Sequence, residues 1–301
     1  MKPTSIIFLI VSLVLVIAGF TVAGVAKQIA AAEGIDLSVR ANEDKEAAPF
    51  KYEYGDDSIG KIKIDVKAAN VNIIGGAEKA YVELTNFTEG MYRFSSGNRV
   101  LEINDDVDIS SLSGIASLAT NFRGLRSFIS YYNMRSLTKT VNIYVCDANP
   151  VNVVEISLGA GDVSIRDITA STDYNIDIDA GEMTMTNVNT TSAVSVNIDA
   201  GNITVEECVI KDCELDVDIG NISICAKTER LDADIDAGDF NLEYTDSFDL
   251  VNLNLYAIVG TITLDGEKIP GYIETDRDDL PNIIDVSVST GNIVIDSTAS
   301  E

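Results

Sequence analysis

The 301-residue chain contains no histidine and no tryptophan. Without histidine it lacks the side chain that most often moves protons near neutral pH, and the commonest zinc ligand. Ser–His and Cys–His nucleophile arrangements and His-based metal centres are therefore excluded, which leaves carboxylate-only chemistry. Cationic residues are scarce too. There are 21 Lys and Arg against 48 Asp and Glu, a formal charge of −27. Such a surface repels nucleic acid and anionic lipid, and it favours cations and cationic partners. The four cysteines, Cys146, Cys208, Cys213 and Cys225, form no C-x-x-C pair. Three lie in one short stretch, so a Cys208–Cys225 disulfide is one reading. The other is small buried hydrophobes, in a core large enough to need no staple.

Hydrophobic residues, by contrast, make up 46% of the chain, enough for a packed core. From Ser5 to Ala26 they run almost unbroken, SIIFLIVSLVLVIAGFTVAGVA. At ~1.5 Å per residue this run spans roughly 33 Å, about one hydrocarbon thickness. Lys2 and the amino terminus before it favour an N-terminus inside and the bulk outside. A cleaved signal peptide ending near Gly24-Val25-Ala26 is the competing reading, and it too exports the remainder. Residues 1–27 are thus expected to be a single-pass membrane anchor, with the membrane as partner through residues 5–26. Residues 28–59, charged and unpatterned, read as a stalk.

Beyond the stalk an internal period dominates. Aligned on one glycine, the copies read ISLGAGDVSI, IDIDAGEMTM, VNIDAGNITV, LDVDIGNISI and DIDAGDFNL, followed by looser YAIVGTITL and VSTGNIVI. The glycines are Gly161, Gly181, Gly201, Gly220, Gly238, Gly260 and Gly291, the first five spaced by 20, 20, 19 and 18 residues. A further copy, VKAANVNI, carries Ala69 in place of glycine. Residues alternate strictly within each copy: Ile176 and Ile178 precede Gly181, and Met183 and Met185 follow it. Period two means strand, and the glycine marks a bend between two strands. A unit of this size cannot bury its apolar face alone, so copies must stack. The expected fold is all-β, a parallel β-solenoid over residues 60–296.

These repeated A-G-[DN]-[IV]-x-[IV] units, following an apolar N-terminal segment, resemble the bacterial putative-adhesin domain family, a class of unknown function. The resemblance covers roughly residues 60–296. It implies a cell-surface β-solenoid with adhesion as its presumed role, and it carries no catalytic residues to transfer. A segment at about 105–140 departs from the pattern.

Outward positions carry the polar chemistry. Two before the glycine stand Asp179, Asp199, Asp218 and Asp236, and two further back Asp177, Asn197, Asp216 and Asp234. Three after it come Ser164, Thr184, Thr204, Ser223, Asn241 and Thr263. Stacked in register these become columns at ~4.8 Å spacing, and the Asp179–Asp236 column is a candidate Ca²⁺ site by ligand type. Magnitudes favour a solvated face. Three neighbouring like-charge pairs cost roughly 3 kcal/mol in water, whereas one rung burying about four aliphatic side chains gains on the order of 6–12 kcal/mol. No metal and no cofactor is therefore expected. Identical carboxylates on every rung also argue against an acid–base pair, which needs two unlike environments.

The departing segment, DISSLSGIASLATNFRGLRSFISYYNMRSLTK, spaces Leu112, Ile115, Leu118, Ala119, Phe122, Leu125, Ile129 and Tyr132 as one helical face. It has no acidic residue from Ile109 to Lys139 but carries Arg123, Arg126, Arg135 and Lys139. Two readings follow: a binding surface of Arg123, Arg126, Arg135 and Phe122 for an anionic polymer or partner, or a flap packed on the solenoid. The expected function is a non-enzymatic, membrane-anchored surface protein that binds an envelope polymer or surface protein. Rival readings are the ectodomain of an envelope-signalling or stress-sensing complex and a glycan-active β-helix enzyme.

Overall fold

The computed structural model describes residues 50–53, 59–87, 92–95, 99–104, 138–146, 150–269, 271–275 and 280–298. The chain divides into two compact units, residues 1–46 and 47–301. The first lies wholly outside the described residues, and so does the expected anchor at 5–26. Among the described residues no helix is long and apolar enough to cross a membrane. Most of the expected helical segment, residues 105–137 with Phe122, Arg123, Arg126 and Arg135, also lies outside them.

The described residues of the second unit form one continuous sheet of 18 strands. Its first part runs β1 (Phe50–Glu53), β2 (Lys61–Val66), β3 (Asn70–Ile74), β4 (Tyr81–Thr85), β5 (Tyr92–Ser95), β6 (Val100–Asn104) and β7 (Thr140–Tyr144). The middle is β8 (Val153–Leu158), β9 (Val163–Ile168), β10 (Asp173–Ile219), β11 (Ile222–Ala237) and β12 (Phe240–Tyr244). A single 3-10 turn at Phe248–Leu250 leads to β13 (Val251–Val259), β14 (Ile262–Leu264), β15 (Glu267–Ile269), β16 (Tyr272–Glu274), β17 (Asn282–Thr290) and β18 (Ile293–Ser297). β10 covers 47 residues because the chain stays extended through its corners for more than two repeats.

Successive rungs pair in parallel and in register, as the period-two alternation predicts. Met183 lies opposite Val163, Ile222 opposite Ile203 and Phe240 opposite Ile222. Their side chains point inward, so every copy adds one Ile, Val, Met or Phe to a column that water does not reach. The glycine bend is where the rungs come closest. A Cβ on Gly220 would lie 1.5 Å from the Gly201 carbonyl oxygen, and one on Gly238 would lie 1.5 Å from that of Gly220. Only glycine admits that approach. The shortening from 19 to 18 residues has a local cause: Glu207, at φ 53°, is an extra residue of the 201 rung in its pairing with the 220 rung, between Glu206 and Cys208.

The order of the rungs departs from chain order at both ends. β6 and β7 pair with β2 and β3, whose other side carries β8 and β9. At the far end, β17 and β18 insert between the β11–β12 rung and β13–β14. Antiparallel strands then close the stack: β4 on β7, β5 on β6 and β1 on β4 at one end, β15 on β14 and β16 on β13 at the other. Short antiparallel returns blunt a parallel edge that would otherwise template further pairing. The β14–β15 return uses Asp265-Gly266, both at positive φ, as a tight hairpin turn requires.

Two segment boundaries differ from expectation. The stretch read as stalk contributes β1 and the buried Ile59. The expected helical segment gives up its end to the stack: Lys139 is buried, its Nζ 5.8 Å over the Phe87 ring, and β7 begins at Thr140. The cysteines are unpaired, and Cys146, Cys208 and Cys213 are buried among core residues. Burial pushes the Cys213 thiol up to about 12 and the Cys208 thiol up to about 11. Thiols so held are packing groups rather than nucleophiles.

Candidate functional site

The outer faces of the rungs carry the residues singled out by the repeat. Asp216 stands opposite Asp234, which in turn faces Ser287 on the inserted rung. Earlier in the same column Asn197 donates its amide to Asp177 Oδ1 at 3.3 Å, so one amide separates carboxylates there. Asp179, Asp199, Asp218 and Asp236 all lie exposed one step nearer the bend. They form a line rather than a cage. Among the described residues no three His, Cys, Asp or Glu side chains converge in a way that could hold a metal ion. The hydroxyl column pairs Ser164 with Thr184 and Ser223 with Thr204 and Asn241. Val294 of the inserted rung then separates Asn241 from Thr263.

Crowding leaves an electrostatic mark. Partial burial, and then Asp234, Asp218, Asp236 and Glu214, raise the Asp216 carboxyl above its ordinary value of 3.8. The folded chain therefore binds this proton more tightly than the unfolded chain. The resulting penalty is fully present above the folded pKa and disappears as pH falls below 3.8. An Asp216→Asn chain should accordingly melt about 1–2 °C higher at neutral pH, the scale of a solvent-screened contribution. That gain should vanish on acidification, as melting curves across a pH series will read.

A second column, unremarked by charge, runs the length of the stack immediately after the bend. Asn70 Oδ1 accepts the Asp162 backbone N–H at 3.3 Å, and Asp162 Oδ1 accepts that of Glu182 at 3.1 Å. The relay resumes from Asn202 to Asn221 at 3.0 Å, Asn221 to Asp239 at 2.9 Å, Asp239 to Asn292 at 2.8 Å and Asn292 to Thr261 at 3.2 Å. Each side-chain oxygen thus holds the backbone of the next rung at its corner. This is the structural reason for Asp or Asn in the A-G-[DN] motif. It also repeats the rung order independently, with 292 between 239 and 261.

A groove of about 380 Å³ crosses the face of three adjacent rungs, lined by Ser195, Asp212, Glu214, Arg230 and Asp232 over the buried Val194 and Cys213. Arg230 lies 3.6 Å from Asp232, both largely exposed. Of the residues singled out in the sequence, the buried Cys213 lines it, and none of the repeat's outward acids or hydroxyls does. What the faces offer chemically is extended: acids and amides repeated at rung spacing.

Fold and surface together define a parallel β-solenoid repeat protein whose polar side chains serve inter-rung ladders. The chain belongs to the Toastrack DUF4097 family, whose model matches residues 59–265, and this is the putative-adhesin class that its glycine-centred copies resemble. No curated protein matches it. Among solved structures it is similar to a putative cell adhesion protein from Clostridium sporogenes, at 15% identity over 84% of this chain and 100% of that one, with a TM-score of 0.40. A putative adhesin from Bacteroides fragilis is 12% identical over 83% and 97%, TM-score 0.39. A putative lipid binding protein from Parabacteroides distasonis is 11% identical over 83% and 96%, TM-score 0.31.

Proposed function

We propose that the chain is a membrane-tethered, non-catalytic surface protein that binds cationic groups of an envelope polymer or partner protein through its repeated acidic faces. The carrying observation is repetition: Asp216 and Asp234 are exposed register partners, and the Asp179–Asp236 positions are all exposed too. A multivalent surface gains affinity from many weak contacts at fixed spacing. A catalytic pair would instead need two carboxylates driven apart by environment. The apolar run Ser5–Ala26 supports the tether, and Lys2 before it favours a reading with the solenoid outside the cell and the amino terminus within.

The test is retention of the full chain, held in vesicles, on immobilised basic peptides and envelope polysaccharides. Binding to the basic probes should fall at least tenfold between about 50 and 500 mM NaCl, as screened charge pairs require. Salt-independent retention would remove the acidic faces from the reading. New reducing ends released from a polysaccharide would replace binding by catalysis.

A further inference from the structure

The acid faces stop short of one end of the stack. In the Asp216–Asp234 column the next two rungs carry Ser287 and then Tyr256. One step nearer the bend, Asp218 and Asp236 give way to Ser289 and Ile258, and beside them Ala237 and Thr290 give way to Val259. Across the terminal antiparallel pair, Tyr272 of β16 stands opposite Tyr256. Tyr256, Ile258, Val259 and Tyr272 are 51%, 60%, 61% and 60% exposed. In a chain of charge −27 this end presents two aromatic and two β-branched aliphatic side chains with no charge among them.

We propose that the outer face at this end is an interface between two copies of the chain, joined through Tyr256, Ile258, Val259 and Tyr272. Electrostatics picks the occupant. A cationic partner would be drawn to the acid columns, and an anionic lipid surface would be repelled by the rest of the molecule. A second copy meets neutral surface with neutral surface. Asp234 and Asp236 lie two rungs behind, roughly 10 Å at ~4.8 Å per rung, about one Debye length at 0.1 M salt. The nearer Asp285, one rung behind at the patch's edge, accepts the Asn254 amide at 3.4 Å. Glu274, beside Asn254 on the same terminal pair, stays at the rim. A two-fold axis through the patch places the same side chains on both sides, as a closed dimer requires. The exposed apolar area is on the order of 400 Å² per copy, about half of a standard interface. The dimer is therefore weak and reversible, and tethering copies to one surface would raise its occupancy. Nothing here depends on what the acidic faces bind.

Sedimentation of the full chain in detergent over a range of concentrations tests this. The wild type should pass from monomer to dimer as concentration rises, and more readily at 0.5 M than at 0.1 M NaCl, because salt screens the repelling bodies. Tyr256→Asp with Ile258→Asp extends the columns with their own residue, so folding should survive, and dimerisation should weaken at least tenfold. Asp179→Asn, remote from this end, should leave the mass unchanged. A photo-crosslinking phenylalanine analogue in place of Tyr272 should join residues 251–259 of a second copy, which covers the case of a misfolded variant. A wild type monomeric throughout at 0.5 M NaCl, equal dimerisation of the double variant, or crosslinks confined to other regions would each overturn the proposal. Loss of binding to basic probes with the dimer intact would instead count against the acidic-face reading alone.

Discussion

Replacing Gly220 by alanine is expected to lower the unfolding midpoint of the solenoid by at least 6 °C, or to prevent folding altogether. The added methyl would sit 1.5 Å from the Gly201 carbonyl oxygen and 2.6 Å from its carbon, both of them backbone. No rotamer relieves such an overlap, so the two rungs must part by more than about 1 Å in a ladder spaced at ~4.8 Å. Parting weakens several hydrogen bonds worth about 0.5–1.5 kcal/mol each, and φ +153° costs an alanine further strain. The total is about 3–5 kcal/mol. Gly266→Ala is the matched control. It also has positive φ, +78°, but no atom lies within 4 Å of its added Cβ. There the cost should be only the local conformational term, about 1–2 kcal/mol. Thermal melts of both variants, followed by the sheet signal in circular dichroism, distinguish them. Equal losses would mean that the glycine column serves its backbone angle and not the close approach of rungs.

The stack was legible because its two causes are both written locally: alternation by twos and a glycine at each bend. Ile176, Ile178, Met183 and Met185 could be assigned inward without knowing what lay above or below them, and all four are buried. The acid columns followed from the same phase. The purpose of the residue after the glycine did not, because a hydrogen bond from Asn221 Oδ1 to the Asp239 backbone depends on which rung is next. Rung order is likewise a global property. The copies around Gly260 and Gly291 look like the sixth and seventh units, yet the stacking places the 291 rung before the 260 rung. A signal for this existed in their outward residues: Ser287 keeps a polar column going whereas Tyr256 ends it, which suits an interior and a terminal rung respectively. Ala69 tells the same story at the other end. It tolerates a methyl where its neighbour Gly161 does not, since the missing Cβ of Gly161 points at the Ala69 carbonyl oxygen, 1.9 Å away.

The inserted rung makes the largest packing prediction and the sharpest one. Phe240 is fully buried, with Ile222 on one side and Ile293 on the other. Truncation to alanine removes a whole ring from a closed column and should cost about 3–5 kcal/mol. Its neighbours decide the topology. In simple chain order the rung after Phe240 would bring Ile262 against it, and Ile293 would lie one rung further on. Here Ile262 faces Ile293, and Ile293 alone separates it from Phe240. Coupling between truncations fades when residues share no contact. A cycle of Phe240→Ala with Ile293→Ala should therefore show an interaction energy of about 0.5–3 kcal/mol, and the cycle with Ile262→Ala should be nearly additive. Denaturant unfolding of the six chains gives both numbers. The reverse ranking would place the rungs in chain order, and the apolar end formed by β13 and β16 would then be the flank of an interior rung.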